Sequence, residues 1–361
     1  MRTYLDHNAT SPLRPAAKAA MLAAMEVNGN PSSVHGEGRA SRKLVDDARE
    51  TIARELGVIA PMVVFTGGGS ETNNLAIKGV AVERLLISAI EHPSVIEAAK
   101  ASGKSVETIP VTADGVVDPD GLRAVLPGAR ALVSVMLANN ETGVIQPLRE
   151  IAALAREHGA LLHTDAVQAF GKIPVNFGLL GADMMTISAH KFGGPMGTAA
   201  LIIRDGLPLE PLTHGGGQEL RRRAGTENVA AIAGFAAAAS DNRPDIHALR
   251  DKLEAEFEDA VIFGRGASRL PNTTCFAVPG INAETLLMAF DLEGIAVSSG
   301  SACSSGKVAK SHVLAAMGAP PEIASAAIRV SLGWNAASED IDHFIAAWRR
   351  IRARHQARVA A

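Results

Sequence analysis

The ten-residue run TISAHKFGGP at residues 186–195, with Lys191 near its middle, is the most informative segment of this chain for its fold and its function. A second run, residues 163–168, reads HTDAVQ and contains Asp165. Each run ends or follows a short apolar or β-branched segment, which is typical of a β-strand. Reactive groups of an α/β sheet gather at the carboxyl ends of its strands, so Lys191 is a candidate reactive residue rather than an ordinary surface lysine.

Lys191 and Asp165 are the residue types that a pyridoxal phosphate (PLP) site requires. PLP enzymes use a lysine that bonds covalently to the cofactor and a carboxylate that keeps the pyridine nitrogen protonated. The two runs therefore predict a PLP site at one edge of a sheet.

The chain around these runs alternates between predicted strands and helices. Strand-like runs cover residues 63–66, 84–89, 132–137, 161–164, 184–188 and 199–203. Helical patterns cover residues 71–78, 94–101 and 148–158. This alternation predicts an α/β fold with a large, mostly parallel, seven-stranded-type sheet that helices cover on both faces.

The pattern changes after about residue 240, which predicts a second, smaller α+β domain. A charged helical stretch at 245–259 is followed by strands at 273–278 and 294–297 and by helices at 283–292 and 340–354. We expect a large domain at residues 12–243 and a small domain formed by residues 1–11 and 244–361.

Bulk composition excludes several classes of function. The 361 residues are 47% hydrophobic and 20% charged with a net charge of −3, which is ordinary for a globular protein. Without a basic excess, nucleic acid is not an expected partner. The longest apolar stretch, residues 229–239, is too short to cross a membrane. The two cysteines and the polar N-terminus favour a reducing, cytoplasmic location without a membrane anchor. We expect no metal site.

Three further motifs follow predicted strands. Residues 66–74, TGGGSETNN, open a helix, where backbone N–H groups form an anion site, although a tight turn explains the glycines equally well. His92 is either a polar residue at a strand end or an imidazole stacked on a cofactor ring. Asn140, in the run NNETG, belongs to a turn or places its amide near the cofactor.

Arg329 and the two cysteines complete the set of candidates. Arg329 lies in the apolar run AIRVSLG, where a guanidinium requires a partner, either a substrate carboxylate or an internal salt bridge. Cys275 lies among apolar and β-branched residues and is expected to be an inert strand residue. Cys303 lies in a Gly/Ser-rich run and is expected to be exposed.

Together these motifs resemble the cysteine desulfurases, PLP-dependent enzymes of the class V aminotransferase group. The resemblance runs nearly end to end, from YLDHNAT at 4–10 through GNPSSVH at 29–35 to RVSLG at 329–333. The run SGSACSSG at 299–306 is similar to the NifS/IscS-like branch, which includes nitrogenase-associated and general iron–sulfur assembly enzymes. The other branch usually carries an Arg-x-Gly-His-His-Cys type run at that cysteine.

The resemblance implies PLP fold-type I architecture and a homodimer with sites at the subunit interface. It implies that Lys191 bonds to PLP, that Cys303 attacks the sulfur of L-cysteine and that Arg329, with Asn140 nearby, holds the substrate carboxylate. His92 would stack on the ring and handle protons. The implied cofactor contacts are Asp165 at the pyridine nitrogen, Gln168 and Asn140 at the phenolic oxygen, and Gly69, Ser70, Ser188, His190 and the other subunit's Thr226 at the phosphate.

The predicted reaction converts L-cysteine to L-alanine and leaves a persulfide on Cys303 for iron–sulfur cluster or other sulfur-compound synthesis. Alternatives are selenocysteine lyase, another class V PLP-dependent lyase or transaminase, and a catalytically inactive scaffold. Two departures from the family pattern stand out: Gly69-Ser70 replaces a frequent Ala-Thr, and residues 352–361 lack the tail with which housekeeping members dock their scaffold. The sulfur acceptor, an iron–sulfur scaffold or another protein, therefore stays open.

Overall fold

A computed structural model describes residues 2–299 and 310–359 of the chain. Strands are numbered in chain order over those residues. They are β1 Thr3–Tyr4, β2 Val63–Thr66, β3 Arg84–Ser88, β4 Ser105–Ile109, β5 Ala131–Ser134, β6 Leu161–Asp165, β7 Met184–Ser188, β8 Ala199–Ile203, β9 Val261–Ile262, β10 Thr273–Ala277, β11 Ile295–Ala296, β12 Ser298–Ser299 and β13 Ala327–Ser331.

The α-helices are numbered in the same way. They are α1 Pro15–Met25, α2 Gly36–Leu56, α3 Gly69–Gly79, α4 Pro93–Lys100, α5 Pro119–Val125, α6 Leu148–Glu157, α7 Phe177–Leu180, α8 Val229–Ala239, α9 His247–Glu254, α10 Ala283–Leu292, α11 His312–Ala316, α12 Pro321–Ala324 and α13 Ser338–Val359. None of these helices is both long enough and apolar enough to cross a membrane.

Seven strands form the large sheet in the order β2-β8-β7-β6-β5-β3-β4. Neighbouring strands from β7 to β4 in that order run parallel, whereas β8 is antiparallel to both β2 and β7. Because β8 is the single reversed strand of this sheet, β2 points the same way as β7. The carboxyl ends of β2, β3, β5, β6 and β7 therefore meet at one edge of the sheet. The predicted α/β fold of PLP fold-type I, with a mostly parallel sheet, is confirmed.

Both faces of the large sheet are buried, which explains why its strands are almost continuously apolar. Successive side chains of a strand point to opposite faces. Val64 accordingly packs in the cluster that contains Leu75 of α3 and Val95 of α4. Its neighbours Val63 and Phe65 pack in the other cluster, with residues of α2, α6 and α8.

A four-stranded antiparallel sheet of order β12-β13-β10-β9 forms a second layer, and β1 pairs with β11 in parallel. Its core contains stacked and edge-to-face aromatic rings, among them Phe257, Phe276, Phe290 and Trp348. Leu5 packs in the same cluster, so the N-terminal segment joins this layer. The division at residues 11/12 and 243/244 stays a prediction.

Several predicted boundaries were wrong for identifiable reasons. The strand predicted at 132–137 ends at Ser134, because the chain then turns toward the site. The helix predicted at 245–259 covers only His247–Glu254. Strand β4 was missed because it lies at the edge of the sheet, where most of its side chains are exposed and its sequence SVETI is polar.

Candidate active site

The loops at the carboxyl edge of the large sheet surround one cavity of about 340 Å³. These loops follow β2, β3, β5, β6 and β7, and the N-terminal segment and Arg329 of β13 close the cavity from the second layer. Its lining consists of Asn8, Ala9, Gly69, Ser70, Asn73, His92, Ser94, Met136, Ala138, Asn140, Asp165, Val167, Gln168, Ser188, His190, Lys191 and Arg329.

Most residues that the sequence marked as a site thus come together in this cavity, and their individual roles stay predictions. Thr226 is exposed and is not part of the lining in its own chain. Cys303 lies outside the described residues, so its predicted role also stays a prediction. Cys275 is fully buried in β10, as expected, and burial raises the pKa of its thiol far above the ordinary value.

The end of the cavity at α3 fits a phosphate. Gly69 begins that helix, whose first backbone N–H groups have no partner within the helix. Ser188 adds a buried hydroxyl that has no hydrogen-bond partner among the described residues. A Cβ at Gly69 would meet Val167 and Ser188 only at 3.5 Å or more, an ordinary contact distance. The alanine frequent in the family would therefore fit here.

Asp165 is the buried carboxylate of the site, with 5% of its surface exposed. Its Oδ1 accepts a hydrogen bond of 2.9 Å from the backbone N–H of Val167, and its Oδ2 accepts one of 2.8 Å from Nδ2 of Asn73. These donors fix the orientation of the carboxylate at the end of β6. A carboxylate held in this way can keep a ring nitrogen protonated, which is the role that the sequence predicts for Asp165 in a PLP site.

His92 caps the start of α4. Its Nδ1 accepts from the backbone N–H of Ser94 at 3.1 Å, and it lies 2.7 Å from the Ser94 hydroxyl. An Nδ1 that accepts leaves the proton of a neutral ring on Nε2. Burial lowers the pKa of His92, opposed by Asp165 and assisted by Lys191. His92 is therefore a neutral ring at neutral pH, suited to stacking on an aromatic cofactor and to accepting a proton.

Glu91, beside His92, is fully buried. Its Oε1 accepts hydrogen bonds from the Ser88 hydroxyl and the Met136 backbone N–H, while Oε2 has no partner among the described residues. Burial raises its pKa from 4.5 to about 8, so the carboxyl group is largely protonated at neutral pH.

This carboxyl group should make stability depend on pH. The pKa of Glu91 is higher in the folded protein than in the unfolded chain, so the protonated carboxyl group stabilises the fold. This stabilisation is complete below about pH 4.5 and is lost as the pH rises through about 8. Glu91→Gln imitates the protonated form, so its melting temperature should exceed that of the parent protein by about 2 °C or more at pH 9. The gap should shrink toward pH 5. The measurement is thermal unfolding across a pH series, with exposed Glu97→Gln as the control; parallel curves for parent and Glu91→Gln would contradict the assignment.

Arg329 lines the cavity and also forms an internal ion pair with Asp6, whereas its contact with a substrate carboxylate stays a prediction. Its guanidinium is 2.7 Å from Oδ1 of Asp6 and donates a 3.0 Å hydrogen bond to the carbonyl of Asn140. Its Nε is buried without a partner among the described residues. The pair with Asp6 holds the guanidinium against the cavity wall, where it is available to a carboxylate.

We expect Arg329→Ala to raise KM for cysteine roughly tenfold or more while PLP stays bound. A charge-assisted contact to a carboxylate contributes about 1.5–3 kcal/mol. The matched control is Arg84→Ala, which breaks a partly buried ion pair with Glu107 at the opposite edge of the sheet. Steady-state kinetics and cofactor absorbance are the measurements. An unchanged KM combined with lower stability would make Arg329 purely structural.

Sequence reasoning missed several residues that shape the cavity. Asn73 connects Asp165 to the Ser94 hydroxyl, because its Nδ2 donates to both at 2.8 Å. Asn8 contacts Lys191, whose ammonium donates to the carbonyls of Asn8 and Ala9 at 2.8 and 2.9 Å. The signal for Asn73 was its place in the first turns of the helix after the glycine run. Asn8 carried no such signal, since its partners are distant in sequence.

A second groove of about 800 Å³ lies at the opposite edge of the large sheet. Its lining includes Gly159 and Ala160 before β6, Asp183 before β7 and Arg204 after β8. It contains a carboxylate and two arginines, but it has neither a lysine nor a histidine among its lining residues. Chemistry, rather than size, makes the smaller cavity the candidate active site.

Known proteins resemble this chain over most of its length. It matches the class-V aminotransferase family over residues 3–344. The cysteine desulfurase IscS of Dictyoglomus turgidum is 42% identical over 96% of this chain and 94% of its own length. The IscS-like cysteine desulfurase of Mycobacterium tuberculosis is 40% identical over 94% of this chain and 93% of its own length. The structure of a NifS-like protein from Rickettsia africae covers 98% of this chain and 100% of its own, with a TM-score of 0.90 at 38% identity.

Proposed function

The chain belongs to the class-V aminotransferase family and, within it, to the cysteine desulfurases, and we propose that it converts L-cysteine to L-alanine and retains the sulfur on Cys303. The observation that carries this proposal is the convergence of Lys191, Asp165, His92 and Arg329 on one cavity. Two of the relatives named above are cysteine desulfurases, so selenocysteine lyase is the less favoured alternative.

PLP is the cofactor of this family, and the cavity has the donor set that it requires. Lys191 would bond to it, Asp165 would face its ring nitrogen, and Gly69 and Ser188 would hold its phosphate. When bound, PLP supplies an electron sink for the α-carbon of the substrate. Asp165 is buried, and the hydrogen bonds from Val167 and Asn73 keep its carboxylate oriented.

Side chains of this chain would carry out substrate binding, proton transfer and sulfur transfer. Arg329 would bind and orient the substrate carboxylate, and neutral His92 would accept or return a proton. The Cys303 thiolate would attack the sulfur of the substrate, and the bond between that sulfur and the β-carbon would break. The electron pair stays on carbon, which takes up a proton, so cysteine leaves as alanine and Cys303 keeps the sulfur as a persulfide.

The test is product analysis with cysteine and with selenocysteine as parallel substrates. In the presence of dithiothreitol, which removes the sulfur from the persulfide, cysteine should give alanine and sulfide in equal amounts. Turnover of selenocysteine alone would move the protein to the lyase alternative. Pyruvate without alanine would indicate a different PLP-dependent reaction.

We propose that the protein is a homodimer. The loop at residues 219–221 is strained, because Glu219, Leu220 and Arg221 have φ angles of 46°, 55° and 64°. Buried Glu219 holds the loop through an ion pair with Arg49 at 2.7 Å, and Leu220 is left 61% exposed. Such strain persists only where packing over-determines it and is concentrated at functional sites.

Further large apolar side chains are exposed on neighbouring segments, namely Met25, Val34 and Met196. The segments approach each other: Gln218 contacts the Ser32 hydroxyl, and Arg14, just before α1, bonds to Gly193. A partner subunit on this side would cover these side chains. Exposed Thr226, six residues after Leu220, would then serve the cavity of the other protomer.

The expected result of the double change Met25→Asp and Leu220→Asp is a monomer, because two buried charges would disfavour the interface. Light scattering coupled to size-exclusion chromatography measures the mass. Leu292→Asp is the matched control, since Leu292 is 85% exposed on α10 in the other layer. A monomeric parent protein, or dimers in all variants, would contradict this interface.

The sulfur acceptor is proposed to be a protein, either an iron–sulfur scaffold or another sulfur carrier. The names of the IscS relatives support the iron–sulfur role. A cytoplasmic location stays a prediction from the sequence.

A further inference from the structure

Glu71 joins the glycine turn before α3 to a distant segment of the chain. Its Oε2 accepts a hydrogen bond of 2.8 Å from the backbone N–H of Gly67, and its Oε1 accepts one of 2.9 Å from Nε of Arg223. A Cβ at Gly67 would lie 2.7 Å from Oε2, so a side chain there would displace the carboxylate. Glu71 therefore packs against the turn that leads to Gly69, at the end of the cavity that fits a phosphate.

The segment around Arg223 holds it at Glu71. Four residues earlier, buried Glu219 accepts a hydrogen bond of 2.9 Å from the backbone N–H of Phe65 in β2 and pairs with Arg49. The exposed fractions of the Arg223 and Glu71 side chains are 23% and 35%, so their ion pair is partly shielded from water. The pair is therefore better fixed than a fully exposed one, and its charges are less screened.

Other contacts also hold the glycine turn, so its shape does not rest on the charge of Glu71 alone. The Thr72 hydroxyl donates to the carbonyl of Gly68 at 2.9 Å and lies 2.6 Å from the Thr66 hydroxyl. The backbone N–H of Thr72 donates to the same carbonyl at 3.0 Å. A neutral side chain at position 71 should therefore leave the turn intact and change mainly its charge.

A carboxylate at this position disfavours an anion at the start of α3. Glu71 lies in the first turn of that helix, where the backbone N–H groups and the helix dipole attract negative charge. The nearest polar side chain to Gly69 is the uncharged hydroxyl of Ser188. Burial lowers the pKa of His190 in the cavity lining from 6.5 to about 4, so this ring is neutral at neutral pH. A phosphate held by N–H groups and hydroxyls is sensitive to a nearby uncompensated carboxylate.

We propose that Arg223 neutralises Glu71 beside the phosphate end of the cavity, and that this pair sets how tightly the protein holds a phosphate-bearing cofactor. The inference rests on the proposed function, in which Gly69 and Ser188 hold the PLP phosphate. It assigns a role in cofactor binding to two residues that do not line the cavity. Both act through the electrostatic potential at the start of α3.

The test compares PLP with pyridoxal, the same compound without the phosphate, in full-length protein from which hydroxylamine has removed the cofactor. Both compounds would bond to Lys191 in the same way, so the ratio of their dissociation constants reports the phosphate. Arg223→Met removes the cation and should weaken PLP binding about fivefold, as expected for one charge near a helix N-terminus, with pyridoxal binding unchanged. Glu71→Gln keeps an amide oxygen for Gly67 but leaves Arg223 uncompensated, so it should strengthen PLP binding by a similar factor.

The double variant Arg223→Met, Glu71→Gln should bind PLP as the parent protein does, because the two effects cancel. The matched control is Arg243→Met, which breaks an ion pair of 3.0 Å with Glu55 of α2. The side chains of that pair are each 25% exposed, close to the exposure of the Arg223 pair. The ratio of the PLP and pyridoxal dissociation constants should not change in this control.

An unchanged ratio in Arg223→Met would overturn the proposal. A double variant that binds PLP as weakly as Arg223→Met would overturn it too, because removal of the Glu71 charge does not replace a direct contact between Arg223 and the phosphate. If Arg223→Met does not fold, Glu71→Gln decides alone, and PLP binding no tighter than in the parent protein rejects the proposal. These titrations require no turnover, so absent sulfide production by a parent protein that binds PLP would reject the proposed reaction without affecting this result.

Discussion

Replacing Lys191 by alanine is expected to remove covalent PLP attachment and to lower turnover at least about 1,000-fold, because the change deletes both the covalent anchor and a proton-transfer group. The measurements are visible absorbance, mass spectrometry after borohydride reduction, and sulfide release. The control is Lys100→Ala, since Lys100 forms an exposed pair with Glu97 that contributes little.

A reducible PLP adduct that persists in Lys191→Ala would contradict the assignment. Peptide mapping would then identify the lysine responsible. Lys172 is the first position to inspect, because its Nζ also contacts Asn8, at 2.7 Å from Oδ1.

Cys303→Ser is expected to abolish sulfide release while PLP and cysteine still bind, because binding depends on Lys191 and Arg329. In the parent protein, cysteine treatment should add the mass of one sulfur atom to the peptide that contains Cys303. Full turnover in Cys303→Ser would reject the persulfide mechanism.

Cys275→Ser is the matched control for that experiment. Cys275 is buried in β10 opposite Arg329 of β13, and burial keeps its thiol protonated. We expect normal sulfide release and a loss of about 1–3 kcal/mol in the free energy of unfolding, because a buried serine hydroxyl must find a partner. Sulfur found on the Cys275 peptide would contradict this control and the proposed nucleophile together.

Local sequence patterns were sufficient to locate the reactive edge. Asp165 ends β6 and Lys191 follows the adjacent, parallel β7, so their side chains reach the same edge. Gly69 and His92 follow strands of the same direction and meet them there. The alternation of strands and helices along the chain determines the direction of the strands. Strand direction in turn determines which loops come together at one edge of the sheet.

Only the tertiary structure decided how those groups are held and charged. Asn8 lies 183 positions from Lys191, and Asp6 lies 323 positions from Arg329, so no local pattern predicts either contact. The inward direction of the Lys172 ammonium and the high pKa of Glu91 likewise come from packing. The physical reason is that periodicity reports which face of an element is buried, whereas hydrogen-bond partners and desolvation depend on the distant elements that cover that face.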